Sequence, residues 1–251
     1  MTDVGVRQSV FTTLRMNDAG LCADVPLHLK RLKEHAERLS ISLPLLPDTV
    51  LTNIKPDSGL LRLRYHAINQ AWEVEQRPRG VFNDSLDALT IVAPRWNKRT
   101  TGCKHGDWQP YTKARVEAER SGCDLALLAW DGAIVDADRA TPLLLDDDGT
   151  IWASNKELGG VESIVLQTMI PYFDHYGYPI QFGRLTEEMV NRCRSMVVVG
   201  TGVGVCEILT IDGYELPRDE RFIQHLVEIE NQHFTDNDTW SLLGNAHDDH
   251  H

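Results

Sequence analysis

The segment 125–153 restricts the fold more than any other. Four short, mainly apolar runs that read as strands (125–130, 134–136, 142–145 and 151–153) have Asp131-Gly132 and Asp146-Asp-Asp-Gly149 as turns between them. Asp-Gly between apolar runs is a hairpin signal, because the tight turn needs a backbone conformation that glycine accepts without strain. The region reads as a meander of hairpins. Stretches of helical period lie on either side of it, so the chain is of α+β class. With 251 residues it can form two modest domains, each with its own core.

In the first half, residues 9–15 (Ser-Val-Phe-Thr-Thr-Leu-Arg) are β-branched and aromatic with partial alternation, which predicts a strand followed by a turn at 17–20. Asp24 and Pro26 mark a helix start. Leu29, Leu32, Ala36 and Leu39 then recur at three- and four-residue spacing, leaving Lys30, Lys33, Glu34 and Glu37 to water. Arg31 lies beside this stripe and reads either as a surface arginine packing its stem or as an anion ligand at the edge of a pocket. Pro44 and Pro47 end the helix, and a short helical stretch follows. Residues 59–67 alternate apolar with basic side chains, a strand with one wet face. Strands at 71–76 and 88–93, separated by the Arg77-Pro-Arg-Gly80 turn, complete a small N-terminal domain over 1–97. Residues 98–251 form a larger, β-rich C-terminal domain.

The stretch Thr101-Gly-Cys-Lys-His-Gly-Asp-Trp108 carries a lone lysine between a Pro/Arg-rich crossing segment, 93–99, and a helix expected over 109–121. A lysine at a segment boundary is by default solvated. Its alternative role is chemical, and Lys104 is the first candidate. Gly159-Gly160 precedes a helix expected over 161–176, whose N-terminus presents backbone N–H groups of the kind that bind a phosphate. Thr186 is a plausible cap for a helix over 186–193. A buried strand at 196–199 runs into Gly200-Thr-Gly-Val-Gly204, which lacks dinucleotide-binding spacing and leads into another strand, 205–211, rather than a helix.

Acidic residues outnumber basic ones by 37 to 25, for a formal charge of −12, which argues against nucleic-acid binding through phosphate neutralisation. A small molecule is the expected partner, with any anionic group met by a local basic pocket. The five cysteines include no CxxC pair, so neither structural zinc nor a disulfide scaffold is expected, and no metal site is assigned. His247 to His251 reads as a frayed tail. No apolar run reaches the ~18 residues of a membrane span, and the start has no basic n-region, so a cytoplasmic protein with no membrane partner is expected.

Taken in order, these features resemble the class IV (fold type IV) pyridoxal-phosphate enzymes, the group containing branched-chain and D-amino-acid aminotransferases and aminodeoxychorismate lyase. The resemblance runs from about residue 9 to 216. It is carried by His28-Leu-Lys-Arg-Leu32, Gly102-Cys-Lys-His105, Gly122-Cys-Asp124, Asp131-Gly132, Val135-Asp136, Gly160-Val161, Gly200-Thr201 and Ile211-Asp-Gly213. It implies the two-domain D-amino-acid aminotransferase-like fold, pyridoxal 5′-phosphate as cofactor and a homodimer. Lys104 would form the Schiff base and shuttle protons. Arg31, the N–H groups of Val161 and Glu162, and Thr201 with Gly202 would hold the phosphate, and Asp136 would face the pyridine nitrogen.

Several positions depart from the family pattern. Asp136 stands for a glutamate, Thr141 with Pro142 for an asparagine five positions later, and Glu162-Ser163 for the arginine after Gly-Val. The family's first strands and Tyr-Gly-Asp-Gly turn have no counterpart before residue 9, so a substrate-facing tyrosine is expected to be lost. The Gly-x-Lys-His signature favours a lyase-like enzyme that releases pyruvate and 4-aminobenzoate from an amino substrate. A class IV aminotransferase is the alternative, with Arg64, Arg95, Arg99 or His105 as candidates for binding substrate carboxylate. A third reading, fed by Asp136, Thr141 and Glu162, is a catalytically impaired member that serves as a binding protein.

Overall fold

The computed structural model describes residues 5–52, 54–80, 82–83 and 85–244. In chain order they form β1 (Ser9–Met16), β2 (Cys22–Ala23), α1 (Val25–Leu39), α2 (Asp48–Leu51), β3 (Gly59–His66), β4 (Ala71–Arg77), β5 (Ser85–Val92) and α3 (Gln109–Arg120). There follow β6 (Leu125–Trp130), β7 (Ala133–Ala137), β8 (Thr141–Leu145), β9 (Ile151–Ser154), α4 (Ile164–Phe173), β10 (Ile180–Gly183), β11 (Leu185–Thr186) and α5 (Glu187–Arg192). The chain ends with β12 (Ser195–Gly200), β13 (Gly204–Ile211), β14 (Tyr214–Glu215), α6 (Glu220–Thr235) and β15 (Trp240–Ser241). The His247 to His251 tail lies outside the described residues. Among those residues no helix is long and apolar enough to cross a membrane.

Two compact units result. Of the described residues, those within 1–80, 96–108 and 234–251 form the first, and those within 81–95 and 109–233 form the second. The first holds an antiparallel sheet of order β15-β2-β1-β3-β4. Val10 and Leu14 of β1, Leu61 and Leu63 of β3, and Leu32, Ala36 and Leu39 of α1 share its core. The register sets Phe11 opposite Arg64 and Thr13 opposite Arg62, so one face of β1 takes the apolar core and the other meets the basic residues that alternate along β3.

The second unit is built on a ten-stranded sheet of order β10-β9-β8-β12-β13-β5-β6-β7-β11, with β14 paired to β13. Its central strands are buried on both faces. Leu144, Met196 and Val198 pack in one core. Leu143, Leu145, Val197 and Val199 point the other way, against Val165, Met169 and Phe173 of α4 and Phe222, Leu226 and Ile229 of α6. This explains why β8 and β12 read as unbroken apolar runs without alternation.

Three expectations need correction. The strand expected at 88–93 spans Ser85–Val92 and belongs to the larger sheet, paired in parallel with β6 and β13. The meander is interrupted: β6 pairs β7 and β8 pairs β9, but β8 pairs next with β12. The helix expected over 161–176 begins only at Ile164, where the Ser163 hydroxyl caps the Leu166 N–H at 3.2 Å, and after Phe173 it tightens into a 3-10 turn, Asp174–Tyr176.

Candidate active site

Lys104 leaves a loop that α1 fastens. Arg38 donates from Nε to the Arg99 carbonyl at 3.0 Å and from Nη2 to the Thr101 carbonyl at 2.7 Å. The Lys104 N–H donates to His35 Nδ1 at 3.2 Å, and the Lys104 carbonyl accepts the Phe11 N–H at 3.2 Å. The backbone of the lysine is therefore pinned on both sides, by α1 and by β1. Its Nζ lies 5.3 Å from the Phe11 ring centre and 5.0 Å from that of Trp108.

Beside it, α1 buries a polar row. The Thr12 hydroxyl oxygen accepts from Arg31 Nη2 at 3.1 Å and lies 2.8 Å from His28 Nδ1. Because a guanidinium can only donate, the Thr12 proton is available to His28, whose Nδ1 is then the acceptor of a neutral ring. Burial, with the charges of Arg31 and Lys104 behind it, drives the His28 pKa well below its ordinary value. His35 is shifted the same way, by burial first and then by Arg31, Arg38, Lys104 and His105. Two cations, Arg31 and Lys104, thus share a compact cluster with two imidazoles kept neutral. Arg31 itself is only 7 % exposed, so it is not a surface residue packing its stem.

The sequence pattern did not mark His28, His35 or Arg62 as site residues. Arg62 and Arg64 lie 5.0 and 5.5 Å from the Phe11 ring centre and pair with Glu75 and Glu73, each at 3.7 Å. Burial lowers the Arg62 pKa to about 10, with Arg77 as the next cause. Arg64 is therefore gathered around the same ring as Lys104. Arg99 is exposed and contributes its carbonyl to the loop. His105 is 1 % exposed, set edge to face against Trp96 at 4.3 Å, and neither ring nitrogen has a hydrogen-bond partner among the described residues. Burial pushes its pKa down to about 4, opposed by Asp107. Arg95 belongs to the second unit, where its guanidinium donates to the Leu158 carbonyl and lies 5.1 Å from the Trp130 ring centre.

In the second unit, Asp136 is 5 % exposed at the end of β7. Its Oδ1 accepts the Ala137 N–H at 3.0 Å, and its Oδ2 accepts the Val161 N–H at 2.9 Å. The Val161 N–H, expected as a helix-start donor, is thus bonded to a carboxylate two residues before the capped helix. Glu162 turns to Gln167, whose Nε2 donates to Oε1 at 2.8 Å. Gly160 makes this close approach possible: a Cβ there would lie 2.4 Å from the Val135 carbonyl oxygen. Asp136, Glu162, Gln167, Leu166, Ile170 and Phe182 line part of a cavity of ≈ 310 Å³. Thr201 and Gly202 lie in the turn between β12 and β13, closed by the Gly200 and Gly204 pair.

Comparison with known proteins identifies the fold and the family. The amino-transferase class IV family profile matches residues 9–211. A Legionella pneumophila protein assigned as a 4-amino-4-deoxychorismate lyase is 15% identical, with a TM-score of 0.79 over 92% of this chain and 94% of its own. The branched-chain amino acid aminotransferase of Escherichia coli is also 15% identical, with a TM-score of 0.79 over 96% and 92%. A hypothetical aminotransferase from Mycobacterium tuberculosis in its PLP-bound form is 19% identical, with a TM-score of 0.78 over 92% and 90%. No curated protein matches by sequence. The structural likenesses show the fold type IV architecture, and because the profile spans most of the sequence, the chain belongs to the class IV aminotransferases, a family of pyridoxal-phosphate-dependent enzymes.

Proposed function

We propose that the protein is an aminodeoxychorismate lyase-like enzyme, a cytoplasmic homodimer that releases pyruvate from an amino substrate and leaves 4-aminobenzoate. The observation that carries this reading is the pinned lysine in a cation cluster: an amine fixed through its backbone, with the buried Arg31 guanidinium in the same group of side chains.

This donor set fits a phosphorylated aldehyde. Arg31 supplies positive charge for a phosphate, and Lys104 supplies the amine. The Val161 N–H fits the role of phosphate donor poorly, because Asp136 already accepts it. Bound pyridoxal phosphate supplies an electron sink for the bond-breaking step. Lys104 would hold the cofactor and move a proton at Nζ, while His35 and Phe11 hold the lysine's main chain in place. His28 and His35, both neutral, hydrogen-bond within the cluster without adding charge. Arg62 and Arg64, beside the same phenyl ring as Lys104, are the candidates for meeting substrate carboxylates, in exchange for Glu75 and Glu73.

The test is to supply 4-amino-4-deoxychorismate and follow pyruvate and 4-aminobenzoate together. Lyase action releases them in equal amounts, and Lys104→Ala lowers the rate at least ~10³-fold and loses the visible absorbance of the bound cofactor. Conversion to the pyridoxamine form with amino donors, without pyruvate release, would overturn the lyase reading in favour of an aminotransferase.

A further inference from the structure

The rings of Phe11 and Trp108 stand nearly perpendicular, at 89°, with centres 5.1 Å apart. They make a corner, and Lys104 Nζ lies within about 6 Å of both ring centres, the range in which an ammonium is drawn to an aromatic face. Because His35 and the Phe11 N–H fix the lysine's backbone, only its side-chain torsions carry the amine into this corner. His105, adjacent in sequence, packs its ring 6.1 Å from Trp108 and extends the aromatic row to Trp96.

We infer that Trp108, with Phe11, forms a seat that holds the Lys104 ammonium whenever that amine is not bonded to the cofactor, so that Trp108 is a positioning residue for the reactive lysine. The inference rests on the reading of Lys104 as the cofactor-bearing residue. The seat works against a repulsive field. His28 and His35 of α1 feel the charges of both Lys104 and Arg31, Arg62 and Arg64 approach across Phe11 from β3 with Glu75 and Glu73 of β4 paired to them, and His105 and Asp107 lie on the lysine's own segment. The arginines favour the deprotonated amine, and the two rings favour the ammonium. The corner thus sets how much reactive amine exists at a given pH, and where it waits.

The test uses the full-length protein stripped of cofactor with hydroxylamine. Reductive methylation with formaldehyde, read at Lys104 by peptide mass spectrometry across a pH series, reports the deprotonated amine. Trp108→Leu should label about 3- to 10-fold faster at Lys104 near neutral pH, with Lys30 and Lys113 unchanged, while Trp108→Phe, which keeps a ring, stays close to wild type. Equal labelling of Lys104 in Trp108→Leu and wild type would overturn the inference, as would the same acceleration in both variants. A measurement on the wild-type chain does not depend on a variant folding. With ¹³C-formaldehyde, the Lys104 methyl resonance should be displaced upfield by ring currents, and a resonance at the position of an exposed lysine would overturn the seat. A displaced resonance in a protein that takes up no pyridoxal phosphate would sink the proposed function and leave the seat standing. Cofactor uptake with an undisplaced resonance would do the reverse.

Discussion

The lysine cluster of the first unit and the Asp136 loop of the second both bury charge, and they satisfy it by opposite means. Around Lys104, side chains bond to side chains: Thr12 bridges Arg31 and His28, and two imidazoles remain neutral among cations. At Asp136, both carboxylate oxygens accept main-chain N–H groups. A charge shared among side chains can be redirected to an incoming anion at small structural cost. A charge absorbed by backbone donors is committed to the shape of the chain. On the proposed reading the first region is the one that receives a ligand, while the bonds of the second hold a loop.

The largest effect that could break this contrast comes from Arg31. If the cluster is an anion seat, Arg31→Ala should weaken retention of pyridoxal phosphate by about 10² to 10³-fold, measured by equilibrium dialysis. The same change removes a cation that holds both imidazoles neutral, so the pKa values of His28 and His35 should rise, which histidine NMR would follow. Unchanged retention would show that the cluster is structural.

Acid should separate the two regions next. His105 titrates at about 4 in the folded protein and near its ordinary value when unfolded. Between these pH values the unfolded chain binds the additional proton. Stability is therefore complete above about pH 6.5 and is lost as the pH falls toward 4, by roughly 3 kcal/mol for this residue. His28 and His35 act with the same sign and carry the loss lower. Denaturant midpoints followed through tryptophan fluorescence should show this slope, and His105→Phe should flatten it, because a phenyl ring fills the aromatic row without a proton to bind. A slope unchanged in His105→Phe would remove this residue as its source.

Gly160→Ala probes the other region. Its Cβ would meet the Val135 carbonyl at 2.4 Å, a backbone atom that cannot swing aside. The loop must shift, and a loss of about 2 kcal/mol in stability is expected, seen as a lowered Tm. Because the shift frees the Val161 N–H from Asp136, it also tests whether that bond shapes the loop. An unaltered Tm would mean that the loop has slack.

These contrasts were only partly legible in the sequence. The strands β1, β3, β6 and β12 and the helix α1 follow from periodicity and turn residues, and Lys104, Arg31 and Asp136 were singled out through the family resemblance rather than through any local pattern. His28, Arg31, His35 and Arg38 also repeat at three- and four-residue spacing, a second stripe along α1. Polar residues in such a row normally form the wet face. Here His28, Arg31 and His35 are buried while Arg38 stays exposed; the partners are the Thr12 hydroxyl, the Lys104 N–H and the loop carbonyls of Arg99 and Thr101, which lie far along the chain, so no local window contains the reason for the arrangement. The placement of β5 is hidden for the same cause, since its parallel partners β6 and β13 come later in sequence. Helix α6 is absent from the sequence reading, although Phe222, Leu226 and Ile229 have helical spacing. At Asp136 the residue type was visible, but its bond to Val161, 25 positions away, was not.

The smallest expected effect bears most directly on the substitution that sets this chain apart from the family pattern. Asp136→Glu restores the family's residue and adds one methylene. If the shorter side chain is what lets Oδ1 reach the Ala137 N–H while Oδ2 reaches Val161, the longer one cannot keep both bonds in the same geometry. Stability should then fall by about 1 kcal/mol, the worth of one such hydrogen bond. The displaced carboxylate and the released Val161 N–H would both become available to the cofactor, so retention of pyridoxal phosphate should rise by about 3- to 10-fold. Asp136→Asn separates these terms: it keeps one acceptor, turns an N–H₂ toward the second donor, and should lose stability without any gain in retention. If Asp136→Glu instead loses stability and cofactor together, the aspartate is holding the loop in the shape that the cofactor needs. The two regions would then differ in how they hold charge but not in what that charge is for.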